Sequence, residues 1–269
     1  VTDPRPQLEQ GAALTELMRR AATELGADWV VPLGCDEFLA SDVDRGVRPQ
    51  FEKLAPRPGD AVRVGWRTYV PMPDDPPDEP NLLQRVTHRR KVERSRKWKV
   101  LVPAELARTT SIRTGNHCLE DRGGRVIKGE RLTEGLHLAH FPVRSPEQIA
   151  AKALAGWVSV IASADHTDEV GWHVKPLFER LRTGHELTPE EITELALSYH
   201  QRPDDEDPDR SVVRDPVLSP KPSEPIVLRR PGQRRAPPIQ LLADVAERIA
   251  RELSAERRMP WWQRLLRRR

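Results

Sequence analysis

The chain has 269 residues, enough for one sizeable domain with appendages; 37% are hydrophobic, 32% are charged and 26 are proline. Net charge is +3, yet six arginines and no acidic residue fall between Arg257 and Arg269, so the rest of the chain is mildly acidic and lacks the basic field that nucleic-acid binding needs. Two distant cysteines, Cys35 and Cys118, argue against a disulfide framework or a structural zinc site, and no apolar run approaches the roughly 18 residues of a membrane span.

Leu8, Leu14, Leu17, Ala21 and Leu25 recur at helical spacing, so Leu8 to Leu25 is predicted to be an amphipathic helix stopped by Gly26. The unalternating run Trp29-Val30-Val31-Pro32-Leu33 reads as a strand buried on both faces, ending in the acidic turn Gly34-Cys35-Asp36-Glu37. Ala61 to Val70 alternates as a strand should, and Val100 to Pro103, Ile112 to Cys118 and Leu136 to Phe141 are further strand candidates. Pro146 to Ser163 has helical character, with Ser145 as N-cap and proline at the first helical position. Leu177 begins another helical piece, and Thr188-Pro189-Glu190-Glu191 starts a helix leading to Tyr199. Three regions follow from this: a domain over 1–200, a disordered Pro-rich linker over 201–238, and an amphipathic helix with a basic tail over 239–269.

Three places carry candidate chemistry. Asp36 and Glu37 lie just past the first buried strand, where open α/β sheets bind ligands; adjacent carboxylates there suit a divalent cation, or else form a solvated acidic turn. Gly115-Asn116-His117 offers an imidazole beside a strand end, or simply a turn with a surface histidine. In His140-Phe141-Pro142-Val143-Arg144-Ser145, a strand end, an arginine and a helix N-terminus are close in sequence, a combination that favours phosphate; the alternative is a buried histidine and a helix-flanking arginine. Lys99 is either a phosphate-neutralising cation or part of a basic ridge.

These segments, in this order, resemble glycosyltransferase family 2. The run from Ala27 to Leu39 is similar to that family's strand and DxDE turn, with Gly34 at the first aspartate position and Asp36 at the second. His140 to Ser145, followed by Gln148, Lys152 and Gly156-Trp157, resembles the family's HFPxRS segment, and Trp66, Tyr69 and Pro71 resemble its aromatic strand. The likeness runs from about Ala27 to about Tyr199, with Gly171-Trp172-His173 included, and lacks the N-terminal β-α-β unit that grips the nucleotide.

The resemblance implies an α/β fold: a truncated GT-A-like, Rossmann-like mixed sheet flanked by helices, with a disordered Pro/Arg-rich C-terminal extension. It implies a sugar transferred from a nucleoside-diphosphate donor to a glycan or lipid-linked acceptor hydroxyl, assisted by Mn²⁺ or Mg²⁺. By the same resemblance Asp36 and His140 are the metal ligands. Lys99, Asn116, His117 and Arg144 bind substrate, and Glu37, Glu120 and Asp121 are the candidate bases. The alternative is a catalytically inactive, glycosyltransferase-like binding module. A cytoplasmic setting is expected. Trp261-Trp262 and the arginines around them match an interfacial segment for an anionic inner-membrane surface, or else a plain basic tail.

Overall fold

The structure is a computed structural model. It describes residues 10–42, 46–54, 59–93, 98–113, 115–127, 129–162, 174–199 and 209–217, together with 243, 246–251 and 254. Two compact units emerge, one from Glu9–Pro142 and Leu195–Ile226, the other from Val143–Glu194 and the helical residues described between 243 and 254.

The first unit opens with helix α1 (Gln10–Thr23), whose buried residues Thr15, Met18 and Ala22 repeat every three or four positions and so form one face. Gly26 takes φ +64°, and the chain reverses there as the Ala27 N–H returns to the Ala21 carbonyl at 3.1 Å. Strand β1 (Trp29–Val30) and strand β2 (Glu37–Ser41) follow, then the short helix α2 (Arg48–Phe51) and the long strand β3 (Ala61–Val70). Next come α3 (Leu82–Arg85), β4 (His88–Arg90), β5 (Trp98–Pro103) and α4 (Ala104–Thr109). A three-stranded antiparallel sheet of β6 (Ser111–Ile112), β7 (Leu119–Glu120) and β8 (Val126–Ile127) stands apart from the main one. Strands β9 (Gly129–Leu132) and β10 (Leu136–His140) return to the main sheet.

That main sheet is mixed and curled, with the order β1-β5-β3-β10-β2, and β3 is its hub. Val62 to Gly65 pair antiparallel with β5, Ala61 to Val64 pair parallel with β9, Trp66 to Thr68 pair parallel with β10, and Tyr69 and Val70 pair antiparallel with β4. β10 also pairs antiparallel with β2, so His140 lies opposite Thr68 on one side and Glu37 on the other. All five residues of β10 are buried, as are Val100, Leu101 and Val102 of β5. Val100 and Val102 meet Met18, Ala22, Leu106 and Ala107 of α1 and α4, while Leu101 packs with Val62, Val64 and Leu138. Each fully buried leucine or valine here contributes about 1.5–3 kcal/mol through removal from water.

The second unit holds α5 (Pro146–Ala162) and α6 (Lys175–Arg182). Trp157 and Phe178 lie 5.9 Å apart in a cluster with Ile161, Ala162, Ala243 and Ala250. Ser145 caps α5 as predicted: its Oγ accepts the Gln148 N–H at 3.2 Å, and Gln148 Oε1 accepts the Arg144 N–H at 2.9 Å. Helix α7 (Pro189–Leu197) starts with the reciprocal Thr188–Glu191 box, its two bonds 3.2 and 2.9 Å long.

The structure corrects several expectations. The run at Trp29 is half-buried and only two residues long, because it sits at the end of the strand order with β5 as its partner and Pro32 cannot extend the ladder. The doubly buried strands are β5 and β10. Glu37 begins a strand instead of sitting in a solvated turn. Ile112 to Cys118 is not one strand: β6 ends at Ile112, and the turn residues Gly115 and Asn116 take φ of 90° and 59°. Within the expected linker, strand β11 (Val212–Arg214) pairs antiparallel with β4, matching Val212 to Arg90 and Arg214 to His88. The segments 218–240 and 255–269, and Gly171-Trp172-His173, lie outside the described residues.

Candidate functional site

Two segments remote in sequence meet at the end of β10. The Phe141 N–H donates to the Asp36 carbonyl at 2.8 Å, which pins the turn after Gly34 beside the strand end carrying His140. Asp36 Oδ2 then stands 3.8 Å from His140 Nε2, with the two side chains 14% and 3% exposed. That spacing is too long for a hydrogen bond. Neighbouring ligand atoms of an octahedral ion at about 2.1 Å each are about 3.0 Å apart, so the pair would have to close by about 0.8 Å to share one small divalent cation.

Trp66, on β3 two residues before the Thr68 that pairs with His140, holds the imidazole. Its ring is tilted 32° against His140 at 4.3 Å, and it meets His117 edge-on at 5.7 Å. Tyr199 approaches His140 edge-on at 5.5 Å. Among the described residues, buried His140 Nδ1 has no hydrogen-bond partner.

Glu37, paired with His140 across the strands, is held in a buried lock. Its Oε1 lies 3.1 Å from Lys99 Nζ, its Oε2 accepts the Gly34 N–H at 2.7 Å, and the two side chains are 2% and 7% exposed. Lys99 also donates to the Gly115 carbonyl at 2.7 Å and passes 5.3 Å from the Trp66 ring centroid. One ammonium thus ties the acidic turn to the Gly115-Asn116-His117 turn. Gly34 is part of the same fit, since a Cβ there would lie 3.0 Å from Asp36 Oδ1 and 3.3 Å from Glu37 Oε2.

Asn116 is fully buried; its Nδ2 donates to the Pro32 carbonyl at 3.4 Å and its backbone carbonyl accepts the Val100 N–H at 3.3 Å. His117 Nδ1 lies 2.8 Å from the Trp98 carbonyl. Glu120 pairs with Arg113 at 3.1 Å. Asp121 closes an exposed turn, accepting N–H bonds from Arg125 at 3.0 Å and Gly123 at 2.9 Å, and these bonds, that from Arg125 foremost, hold its carboxyl below the usual range. Arg144 belongs to the second unit, at the N-terminal cap of α5.

Asp36, Glu37, Lys99, Asn116, His117 and His140 therefore belong to one connected neighbourhood, with Trp66 at its centre. Sequence reasoning placed Trp66 in an aromatic strand, lining an acceptor groove by resemblance or else packing the core, and overlooked Tyr199. Trp66 was legible as an inward residue of an alternating strand; nothing local marks Tyr199. Also overlooked was a charged chain on the first unit: Arg67 bridges Asp42 at 2.6 Å and Asp215 at 3.5 Å, and Asp215 meets Arg89 at 2.5 Å. Beside Asp42, at 3.3 Å, sits His137, whose pKa is pushed down to about 4 by burial first and by the Arg67 charge second.

No protein-family model, curated protein or solved structure matches the chain. Among the described residues, no group of three or more histidine, cysteine, aspartate or glutamate side chains gathers as a metal cage, and no helix is long and apolar enough to cross a membrane. Cys35 and Cys118 are both free thiols.

Proposed function

We propose that the chain is a GT-A-type transferase similar to glycosyltransferase family 2, moving a sugar from a nucleoside diphosphate to an acceptor hydroxyl. The observation that carries this reading is the 3.8 Å approach of Asp36 Oδ2 and His140 Nε2. Asp36 would supply the carboxylate oxygen that Mn²⁺ or Mg²⁺ favours, with the His140 imidazole beside it. When bound, the ion supplies charge neutralisation for the leaving diphosphate. Asp36 and His140 would hold it, with Trp66 against the imidazole and the Glu37–Lys99 lock setting the turn that carries Asp36.

The test is hydrolysis of UDP-glucose and GDP-mannose in the presence of Mn²⁺, with Asp36→Ala and His140→Ala beside the parent chain. Each substitution should lower the rate by at least about 100-fold. Equal rates in all three would remove the metal pair. A second reading, a non-catalytic nucleotide-binding module, draws on the absence of a third ligand among the described residues. It predicts calorimetric binding of UDP or GDP with no turnover. The tail from Arg257 to Arg269 is assigned to an anionic membrane surface, close to a lipid-linked acceptor. Removing it should abolish co-sedimentation with phosphatidylserine vesicles, and unchanged sedimentation would refute the assignment.

A further inference from the structure

A cavity of about 550 Å³ lies between α2 and the turn that joins β9 to β10. It adjoins Leu136, at the opposite end of β10 from His140. Its size falls within the roughly 300–1,000 Å³ usual for small-molecule sites. Leu54, Leu132 and Leu136 supply apolar walls, and all three pack into the core cluster of Val62, Val64 and Leu101.

Gln50, the last residue but one of α2, brings a polar group to this apolar setting. It is 9% exposed and lines the cavity. Its backbone is satisfied: the N–H donates to the Val47 carbonyl at 3.0 Å, and the carbonyl accepts the Lys53 N–H at 3.2 Å. Its carboxamide has no hydrogen-bond partner among the described residues. A carboxamide so buried and unmet is a group that an entering polar molecule can satisfy. It stands against Gly135, which takes φ +85°, and a Cβ there would lie 3.1 Å from Gln50 Oε1.

The rim carries opposite charges. Lys53 and Glu134 are exposed, and neither has an ion-pair partner among the described residues. Asp42, the remaining charge on the lining, is already held by Arg67 at 2.6 Å. Glu134 disfavours an anion and Lys53 a cation, so the rim suits a net-neutral molecule that carries both signs.

We propose that this cavity binds a zwitterionic dipeptide with apolar side chains. Its carboxylate meets Lys53, its ammonium meets Glu134, its peptide group meets the Gln50 carboxamide, and its side chains lie against the three leucines. A peptide group presents one N–H and one carbonyl, which Gln50 Oε1 and Nε2 match as acceptor and donor. A free amino acid lacks that group, and a nucleotide brings negative charge with no positive end. The site is independent of the transferase reading, since it uses neither Asp36 nor His140.

Calorimetric titration of the full chain with leucyl-leucine tests it, beside free leucine, N-acetyl-leucyl-leucine amide and AMP. Leucyl-leucine should bind saturably, about tenfold or more tighter than leucine. Capping both ends should weaken binding about 4- to 25-fold, and Lys53→Met and Glu134→Gln should each weaken it about two- to fivefold. Gln50→Leu should weaken it about tenfold. Because Lys53 and Glu134 are exposed, their substitutions carry the test should Gln50→Leu fold poorly. No saturable heat from leucyl-leucine up to about 10 mM, equal affinity for the capped peptide, or preference for AMP would each overturn the proposal. Parental affinity in the folded Lys53, Glu134 or Gln50 variants would place the peptide elsewhere and overturn it as well.

Discussion

Replacing Lys99 by methionine removes the ammonium and keeps most of the volume, which leaves the Glu37 carboxylate buried with the Gly34 N–H as its remaining hydrogen-bond donor in the lock. At 3.1 Å the pair is worth about 5 kcal/mol by Coulomb's law at an effective dielectric constant of about 20. Desolvation of both groups offsets much of that, so the intact pair is close to neutral against an apolar substitute; breaking it from one side costs about 3–5 kcal/mol. Lys99→Met and Glu37→Leu should each lose about that much in equilibrium urea unfolding, a large share of the 5–15 kcal/mol of an ordinary domain. The double variant should lose far less than the sum, with a coupling energy of about 2 kcal/mol or more. It should still uncouple the two turns, so it recovers stability without recovering activity. Single losses below about 1 kcal/mol, or strict additivity, would refute the lock.

His137 makes stability pH-dependent in a defined direction. Its folded pKa of about 4 lies below the unfolded value of about 6.5, so the unfolded chain takes up the proton first and stability falls as pH drops from about 6.5 to about 4, by at most about 3 kcal/mol. His137→Asn should flatten that window; an unchanged slope would assign it to other groups. Gly34→Asp should cost about 1–3 kcal/mol through crowding of Asp36 and Glu37, and a gain in stability or Mn²⁺ affinity would contradict the packing. Tyr69 is buried and donates to the Asp215 carbonyl at 2.7 Å, so its ionisation is pushed above the ordinary tyrosine value, mainly by desolvation. Of the two tyrosines one should resist spectrophotometric titration, and Tyr69→Phe should cost about 1 kcal/mol; two normal titrations would remove the buried bond.

Local patterns in the sequence locate several elements well. The alternation from Ala61 to Val70 matches β3 end to end, and Ser145-Pro146 marks the start of α5. Gly115-Asn116 signals a left-handed turn through residue types that tolerate positive φ. What was illegible depends on partners far along the chain. Nothing near Glu37 announces that Lys99 neutralises it, so two adjacent carboxylates looked like one shared metal site. Apolarity at Trp29-Val30-Val31 could not reveal that the strand would lie at a sheet edge. Val212-Val213-Arg214, flanked by Asp, Pro and Arg, is too short for any periodicity, and its strand character comes from β4 beside it.

That late strand has a practical corollary for anyone trimming the protein. Cutting after Tyr199, at the start of what the sequence presents as a dispensable tail, would discard Asp215. Arg67 and Arg89 would then crowd together with Asp42 as the surviving anion of their chain, Tyr69 would lose the acceptor for its hydroxyl, and the outer edge of β4 would lie bare. The shortest fragment that preserves these contacts therefore runs through Val217.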